Sequence, residues 1–216
     1  MSCMFEVVIL TIIPELAQNE FDALLPLVSP EKQERIRKFH FFRDAQNCLL
    51  GDILVRTVIC RTTGLSNKQL EFSMNEYGKP FLMNTHHIHF NISHAGHYIA
   101  CAVSDEPVGI DIEFIKPVDL KIAERFFSSD ETAYIMADKQ IYRFYEVWTK
   151  KESRIKWEGE GLHKPLPSFS VFEPNNHLTY QIAFQNNEAI CHVCSTKPIM
   201  LSVSVLNTAM FLQSID

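Results

Sequence analysis

The heptapeptide Val108-Gly109-Ile110-Asp111-Ile112-Glu113-Phe114 alternates strictly. Val108, Ile110, Ile112 and Phe114 fall on one side and Gly109, Asp111 and Glu113 on the other, the period of two that marks a strand with one apolar face. Both carboxylates therefore point the same way, roughly 7 Å apart at an i, i+2 spacing. Like charges so placed repel unless a cation lies between them, and hard oxygen ligands suit Mg²⁺ or Mn²⁺ rather than zinc. Gly109, on the same face, leaves room for a ligand to approach the backbone. The bland alternative is a solvated polar face on an ordinary strand, and this segment alone leaves both readings open.

A second segment, Trp148-Thr149-Lys150-Lys151-Glu152-Ser153-Arg154-Ile155-Lys156-Trp157, adds weight to the first reading. From Gln140 to about Glu158 the pattern is helical, with Ile141, Phe144, Tyr145, Trp148 and Ile155 at three- and four-residue steps. Glu152 lies on that apolar stripe and Lys156 follows one turn later. A carboxylate on a core-facing stripe is costly unless it is paired or binds metal. A plain Glu–Lys helix pair explains the spacing but not the burial. Lys150, Lys151 and Arg154 add positive charge around one turn. A metal with a basic surround fits a phosphate ester better than a metalloprotease.

Composition bounds the rest. The chain has 216 residues, 46% of them hydrophobic, enough for a real core in one large domain or two small ones. Asp plus Glu number 26 against 20 Lys plus Arg, and the net charge of -6 argues against a general nucleic-acid binder. Met1 to Pro14 is apolar but short, is interrupted by Glu6 and lacks a basic leader, so it reads as a first strand and not a signal peptide. No stretch reaches transmembrane length. Six cysteines form no compact framework in a chain of this size, which points to a reducing cytoplasm. Cys191-His192-Val193-Cys194 is a lone CxxC, better read as buried strand and loop cysteines than as a zinc or redox site.

Along the chain, Met4 to Ile13 reads as a strand. Ser29-Pro30-Glu31 starts a basic helix carrying Lys32, Arg35, Arg37 and Lys38. A second helix runs from after Arg43 to about Thr62, ended by Gly64. Leu70 to Ser73 is a short strand and Tyr77-Gly78-Lys79-Pro80 a turn. Ile88 to Ile92 and Tyr98 to Val103 read as strands joined through Ser93-His94-Ala95-Gly96. The Asp111 strand opens the second half, with Asp105-Glu106-Pro107 as the join. Helices follow over Leu120–Phe127, Asp130–Asp138 and Gln140–Glu158, then strands over Ser168–Phe172, Leu178–Phe184, Ala189–Cys194 and Met200–Val205. Each half is a leading strand, helices, then strands.

Four motifs now stand in order: Tyr77-Gly78-Lys79-Pro80, Phe90-Asn91-Ile92-Ser93-His94, Gly109-Ile110-Asp111-Ile112-Glu113 and Trp148 through Lys156. In this the chain resembles the 4'-phosphopantetheinyl transferases of the surfactin-synthetase-activating (Sfp) type. The likeness extends to Ser29-Pro30-Glu31-Lys32, Leu50-Gly51-Asp52 and the stretch from Glu158 to Ser170, covering about residues 29 to 172. The resemblance implies an α+β fold of two similar halves related by a pseudo-twofold axis, with the active site in the cleft between them. Residues 1–106 would form the half on the coenzyme A nucleotide side, and residues 107–216 the half with the metal-binding and catalytic groups. The implied activity moves the 4'-phosphopantetheine arm of coenzyme A to a serine of an apo acyl or peptidyl carrier protein, releasing adenosine 3',5'-bisphosphate. Carriers of nonribosomal peptide, polyketide or fatty acid synthases are the implied partners.

By the same likeness Asp111, Glu113 and Glu152 hold Mg²⁺, or Mn²⁺, with the coenzyme A pyrophosphate. Glu152 doubles as candidate general base, and Lys156 neutralises charge on the leaving phosphate. Ser93 and His94 contact coenzyme A phosphates, Lys79 lies on the adenine side, and Lys32 and Arg35 lie near the 3'-phosphate. Arg35 stands where a lysine is common, which keeps the charge. Cys48 stands where some relatives have a hydroxyl, so that phosphate contact is not carried over. His86, His87 and His89 are explained by an exposed loop as well as by a metal site. Lys116 through Phe127 is the candidate carrier surface, with at least one of Phe126 and Phe127 expected in the core. A chain that already contains both halves has no need to dimerise. A different Mg²⁺ enzyme acting on a nucleotide pyrophosphate, or a non-catalytic binder of coenzyme A or carrier, are the rival readings.

Overall fold

Two larger sheets and a small two-stranded one, with helices laid on them, build the fold, seen in a computed structural model that describes residues 5–83, 85, 87–161, 164–173, 177–184, 187–199 and 202–215. The first half runs β1 (Phe5–Thr11), α1 (Gln18–Leu24), α2 (Pro30–Arg37) and α3 (Phe42–Thr63), then the small hairpin β2 (Phe72–Met74) and β3 (Pro80–Leu82), then β4 (His89–Ala95) and β5 (Tyr98–Ser104). The second runs β6 (Val108–Phe114), α4 (Lys121–Phe126), α5 (Ser129–Ala137), α6 (Gln140–Glu158), β7 (Leu178–Ala183) and β8 (Ala189–Ser195). β9 (Val203–Asn207) and α7 (Thr208–Leu212) follow. In the first half β5 pairs antiparallel with both β4 and β1. In the second, β8 pairs antiparallel with both β7 and β6. One connectivity occurs twice: a strand, helices ending in a long one, and a hairpin whose second strand returns to the first. This is the expected α+β fold of two similar halves.

The residues that drive it are legible. Leu49, Leu50, Ile53, Leu54 and Val58 of α3 pack on Val8 and Leu10 of β1 and on Ile99, Cys101 and Val103 of β5. The other faces of β1 and β5, carrying Val7, Ile9, Ala100 and Ala102, meet Val108, Ile110 and Ile112 of β6 and Val193 of β8. Each such aliphatic side chain, fully buried, contributes about 1.5–3 kcal/mol. Ser29 Oγ accepts from Lys32 N at 3.3 Å and caps α2. Gly64, at φ 73°, takes the left-handed turn that ends α3.

Several expectations need correction. β9 pairs in parallel with β1, Val7 opposite Val203 and Thr11 opposite Asn207. Phe211 of α7 is buried in the core beneath α3. The expected second half thus lends β9 and α7 to the first sheet. Ser93 and His94 belong to β4, so the turn falls at Gly96 and His97 instead. Ser168 to Phe172 is no strand but a 3₁₀ turn over Leu166–Ser168 and a loop. Side chains rather than a partner strand satisfy its backbone: Lys151 donates to Leu166 O and Phe169 O, and Glu131 accepts from Val171 N. Met200 lies outside the described residues. α1 and α7 had no counterpart in the sequence reading.

The polar face of β6 is not solvated at Gly109, because α6 packs across it. A Cβ on Gly109 would fall on the backbone of Ser153 and Trp157. Gly109 therefore admits a helix and not a ligand. Cys191 and Cys194 sit three apart on β8, which turns their side chains to opposite faces, and both thiols are free. Cys3 and His86 lie outside the described residues. Among the described residues no helix is long and apolar enough to cross a membrane.

Candidate active site

Asp111, Ser93 and Lys156 meet where β6, β4 and α6 converge. Asp111 Oδ1 accepts from Ser93 Oγ at 2.9 Å and from Lys156 Nζ at 2.6 Å. Lys156 Nζ also donates to Ser93 Oγ at 3.0 Å, closing a triangle that draws on both halves. Asn91 of β4 locks the same junction: its Oδ1 accepts from the Ile110 amide at 2.9 Å. Asp111 is 4% exposed. Burial raises its pKa, and Lys156, Ser93 and the Ile112 amide oppose the rise.

The other two expected carboxylates share this field. Burial, then the Asp111 charge, pushes Glu113 up to about 7, with Glu152 adding to the rise and Lys156 and Lys116 opposing it. Burial and the Asp111 charge also raise Glu152, and Lys156 opposes. Three acids that hold one another's protons are what a divalent cation relieves. Among the described residues, however, no three His, Cys, Asp or Glu side chains converge closely enough to enclose an ion. The Lys156 ammonium sits on Asp111 where such an ion's charge is wanted. The donor chemistry still fits Mg²⁺ or Mn²⁺: three hard carboxylates that raise one another's pKa in one field.

The expected basic surround on α6 is taken up inside the fold. Lys150 pairs with Glu146 at 2.6 Å and Arg154 with Glu158 at 3.1 Å. Lys151 is fully buried and pairs with the fully buried Glu131 at 2.8 Å. Its pKa is lowered by burial, with Glu131 opposing. Lys79 is likewise committed. Its ammonium donates to Lys156 O at 2.5 Å, Val108 O at 3.3 Å and Trp157 O at 3.4 Å. It thus ties the Tyr77–Pro80 turn to the end of α6, and burial lowers its pKa to about 8.

The remaining expected contacts lie on the other face of β4. Ser93 turns toward β6, so His94, its neighbour along the strand, turns toward α3 and is exposed. Lys32 and Arg35 both bring positive charge to Cys48. Lys32 pairs with Asp52 at 3.1 Å, and Arg56 Nε reaches the same carboxylate at 2.5 Å. The structure thus brings together Ser93, Asp111 and Lys156, keeps Glu113 and Glu152 in their field, and leaves His94, Lys32 and Arg35 on the α3 side. In the expected carrier surface, Phe127 is core and Phe126 packs partly buried beside it.

Comparison with known proteins shows the family. A family model described as "4'-phosphopantetheinyl transferase, N-terminal" matches residues 15–106, and one described as "4'-phosphopantetheinyl transferase superfamily" matches residues 107–200. The chain is 48% identical over 159 residues to "4'-phosphopantetheinyl transferase Sfp" of Bacillus subtilis, covering 72% of this chain and 71% of that one. The chain belongs to the 4'-phosphopantetheinyl transferases. It is also 37% identical over 188 residues to "4'-phosphopantetheinyl transferase gsp" of Aneurinibacillus migulanus, covering 86% and 77%. A further transferase of Bacillus subtilis is 43% identical over 171 residues, 77% of this chain and 76% of that one.

The burial of three polar residues, Lys151, Glu131 and His192, is not part of the sequence reading. The spacing of Val147, Lys151 and Ile155 put Lys151 on the buried face, a signal that was available. Ser128-Ser129-Asp130-Glu131 is a capping box, but nothing in sequence marks Glu131 as the partner of Lys151. His192 stands opposite Asp111 in the β6–β8 register. Burial, then Lys150, lowers its pKa to about 3, which keeps it neutral, and only the folded register reveals its place.

Proposed function

We propose that this transferase moves 4'-phosphopantetheine from coenzyme A to a serine of an apo acyl or peptidyl carrier protein in a Mg²⁺-dependent reaction. Carrier domains of nonribosomal peptide, polyketide or fatty acid synthases are the substrates in mind. The serine oxygen forms a bond to the phosphorus bearing pantetheine. The bridging P–O bond breaks, and adenosine 3',5'-bisphosphate leaves with the bond's electron pair. Asp111, Glu113 and Glu152 would hold the divalent ion, which when bound supplies charge neutralisation and aligns the pyrophosphate for in-line attack. Glu152, its pKa raised by burial and by Asp111, takes the serine proton directly or through a water. Lys156 neutralises charge growing on the leaving phosphate. Ser93 meets the pyrophosphate on the β6 side. His94, Lys32 and Arg35, on the α3 side, meet the remaining phosphates, so the nucleotide would cross the edge of β4.

The observation that carries this reading is the Ser93–Asp111–Lys156 triangle built from both halves. Incubation with coenzyme A, Mg²⁺ and an apo carrier tests it. The carrier's intact mass rises by one phosphopantetheine, only with Mg²⁺ present, and adenosine 3',5'-bisphosphate appears in equal amount. An unchanged carrier mass overturns the reading.

A further inference from the structure

Two polar side-chain atoms lie buried and unpartnered on residues that oppose each other across the second sheet. Asp111 on β6 and His192 on β8 are register partners, which sets their Cβ atoms about 5 Å apart. Both side chains run toward α6, where Lys156 meets Asp111 and Thr149 meets His192. Asp111 Oδ2 and His192 Nε2 have no hydrogen-bond partner. The residues that carry them are 4% and 1% exposed. Burying either atom unpaired is costly, and nothing in the proposed transfer chemistry uses His192.

The tautomer of the imidazole follows from where the Thr149 hydroxyl proton goes. Thr149 Oγ1 lies 2.7 Å from Tyr145 O, 3.3 Å from Glu146 O and 2.7 Å from His192 Nδ1. The hydroxyl proton is assigned to Tyr145 O, the usual acceptor of a mid-helix threonine one turn back, rather than to His192 Nδ1 at the same distance. With that assignment Nδ1 carries a proton and donates to Thr149 Oγ1, which leaves Nε2 as a bare lone pair. Asp111 Oδ1 already accepts from Ser93 and Lys156, so Oδ2 is the second bare acceptor. Two acceptors cannot bond to each other. One small molecule that donates twice satisfies both.

We propose that His192 is a positioning residue for Asp111, acting through one buried water that donates to His192 Nε2 and to Asp111 Oδ2. The chain Thr149–His192–water–Asp111 then fixes the carboxylate from the interior while Ser93 and Lys156 fix it from the cleft. Its effect on metal binding rests on the role assigned to Asp111 above. A ligand carboxylate held by a hydrogen-bonded partner binds metal more tightly, and loss of such a partner costs about 10- to 100-fold in affinity.

Two measurements on the full chain test this. ¹⁵N NMR of the metal-free protein is expected to show His192 protonated at Nδ1, with Nε2 shifted as a hydrogen-bonded acceptor. A proton on Nε2 overturns the proposal, and this reading needs neither metal nor variant. Mn²⁺ titration followed by electron paramagnetic resonance is expected to show about tenfold weaker binding in His192→Leu. His192→Gln, whose carbonyl oxygen can still accept, is expected to stay within about threefold of wild type. Equal affinity in His192→Leu and wild type overturns the metal-positioning role. Wild-type protein that binds no Mn²⁺ would sink the metal reading of Asp111 instead, and the tautomer would still decide His192.

Discussion

The Lys156 ammonium stands 2.6 Å from Asp111 Oδ1 and 3.0 Å from Ser93 Oγ, so one cation already serves the carboxylate that a divalent ion needs. Two roles follow for Lys156, and they pull apart. As a competitor on Asp111 it weakens metal binding; as a donor to the leaving phosphate it speeds transfer. Lys156→Met is therefore expected to bind Mn²⁺ several-fold more tightly while kcat falls about 10²- to 10³-fold. Paramagnetic titration beside a carrier-modification assay reads both. Weaker Mn²⁺ binding in the variant would count against the competition.

Glu113 gives a pH signature. Its carboxyl, pushed up to about 7 first by burial, also faces Asp111 and Glu152, which raise it, and Lys156 and Lys116, which lower it. A carboxyl whose folded pKa exceeds its unfolded value of 4.5 binds its proton more tightly in the folded state. Its contribution to stability is full below the unfolded value and is lost as pH rises through about 7. The metal-free protein is expected to lose more Tm than Glu113→Gln across this window. Mg²⁺ is expected to raise the wild-type Tm more on the alkaline side than on the acid side. Parallel curves for the two proteins would remove Glu113 from this role.

Lys32 must leave or share Asp52 to serve a phosphate, since the pair spans 3.1 Å and Arg56 holds the same carboxylate. Lys32→Ala is expected to weaken coenzyme A binding about tenfold, the worth of one charge-assisted hydrogen bond. Dephospho-coenzyme A, which lacks the 3'-phosphate, is expected to change by less than about twofold under the same reasoning. Calorimetric titration with both ligands decides it, and equal losses would refute the assignment.

The Lys151–Glu131 pair is fully buried and also holds the Leu166–Val171 loop through three backbone groups. Removing one partner of such a pair costs about 3–5 kcal/mol. Lys151→Met is expected to destabilise by that amount in urea unfolding. Adding Glu131→Gln is expected to recover part of the loss, because no unpaired charge then remains buried. A single variant near wild type would show that the pair is not a structural anchor.

How far the sequence carried depended on how local the cause was. Alternation in β6 and the stripe of α6 are written in neighbouring residues, so both elements and the side of Asp111 were legible. The same alternation could not say what would cover that side. Gly109 therefore read as space for a ligand when it is space for the backbone of α6. Lys151 read as part of a basic surround and Lys79 as an adenine-side contact, because the partners that hold them, Glu131 and three backbone carbonyls, are remote in sequence. Ser93 and His94 both read as contacts to coenzyme A phosphates from one turn, yet adjacent strand residues take opposite faces, and only Ser93 reaches Asp111. The 168–172 segment has a strand's composition, but its backbone groups are claimed by buried side chains. His192 could not be found in advance at all, since register across β6 and β8 is a product of folding.

The parallel pairing of β9 with β1 makes the molecule a stitched object rather than two hinged shells. Severing the polypeptide at the Asp105–Pro107 join would strand a ribbon of one lobe on the other's fragment. The amino-terminal piece would show a bare β1 edge, and its partner piece would carry the missing staple. Separately made, each is expected to be insoluble or molten; mixed, they are expected to rebuild the enzyme.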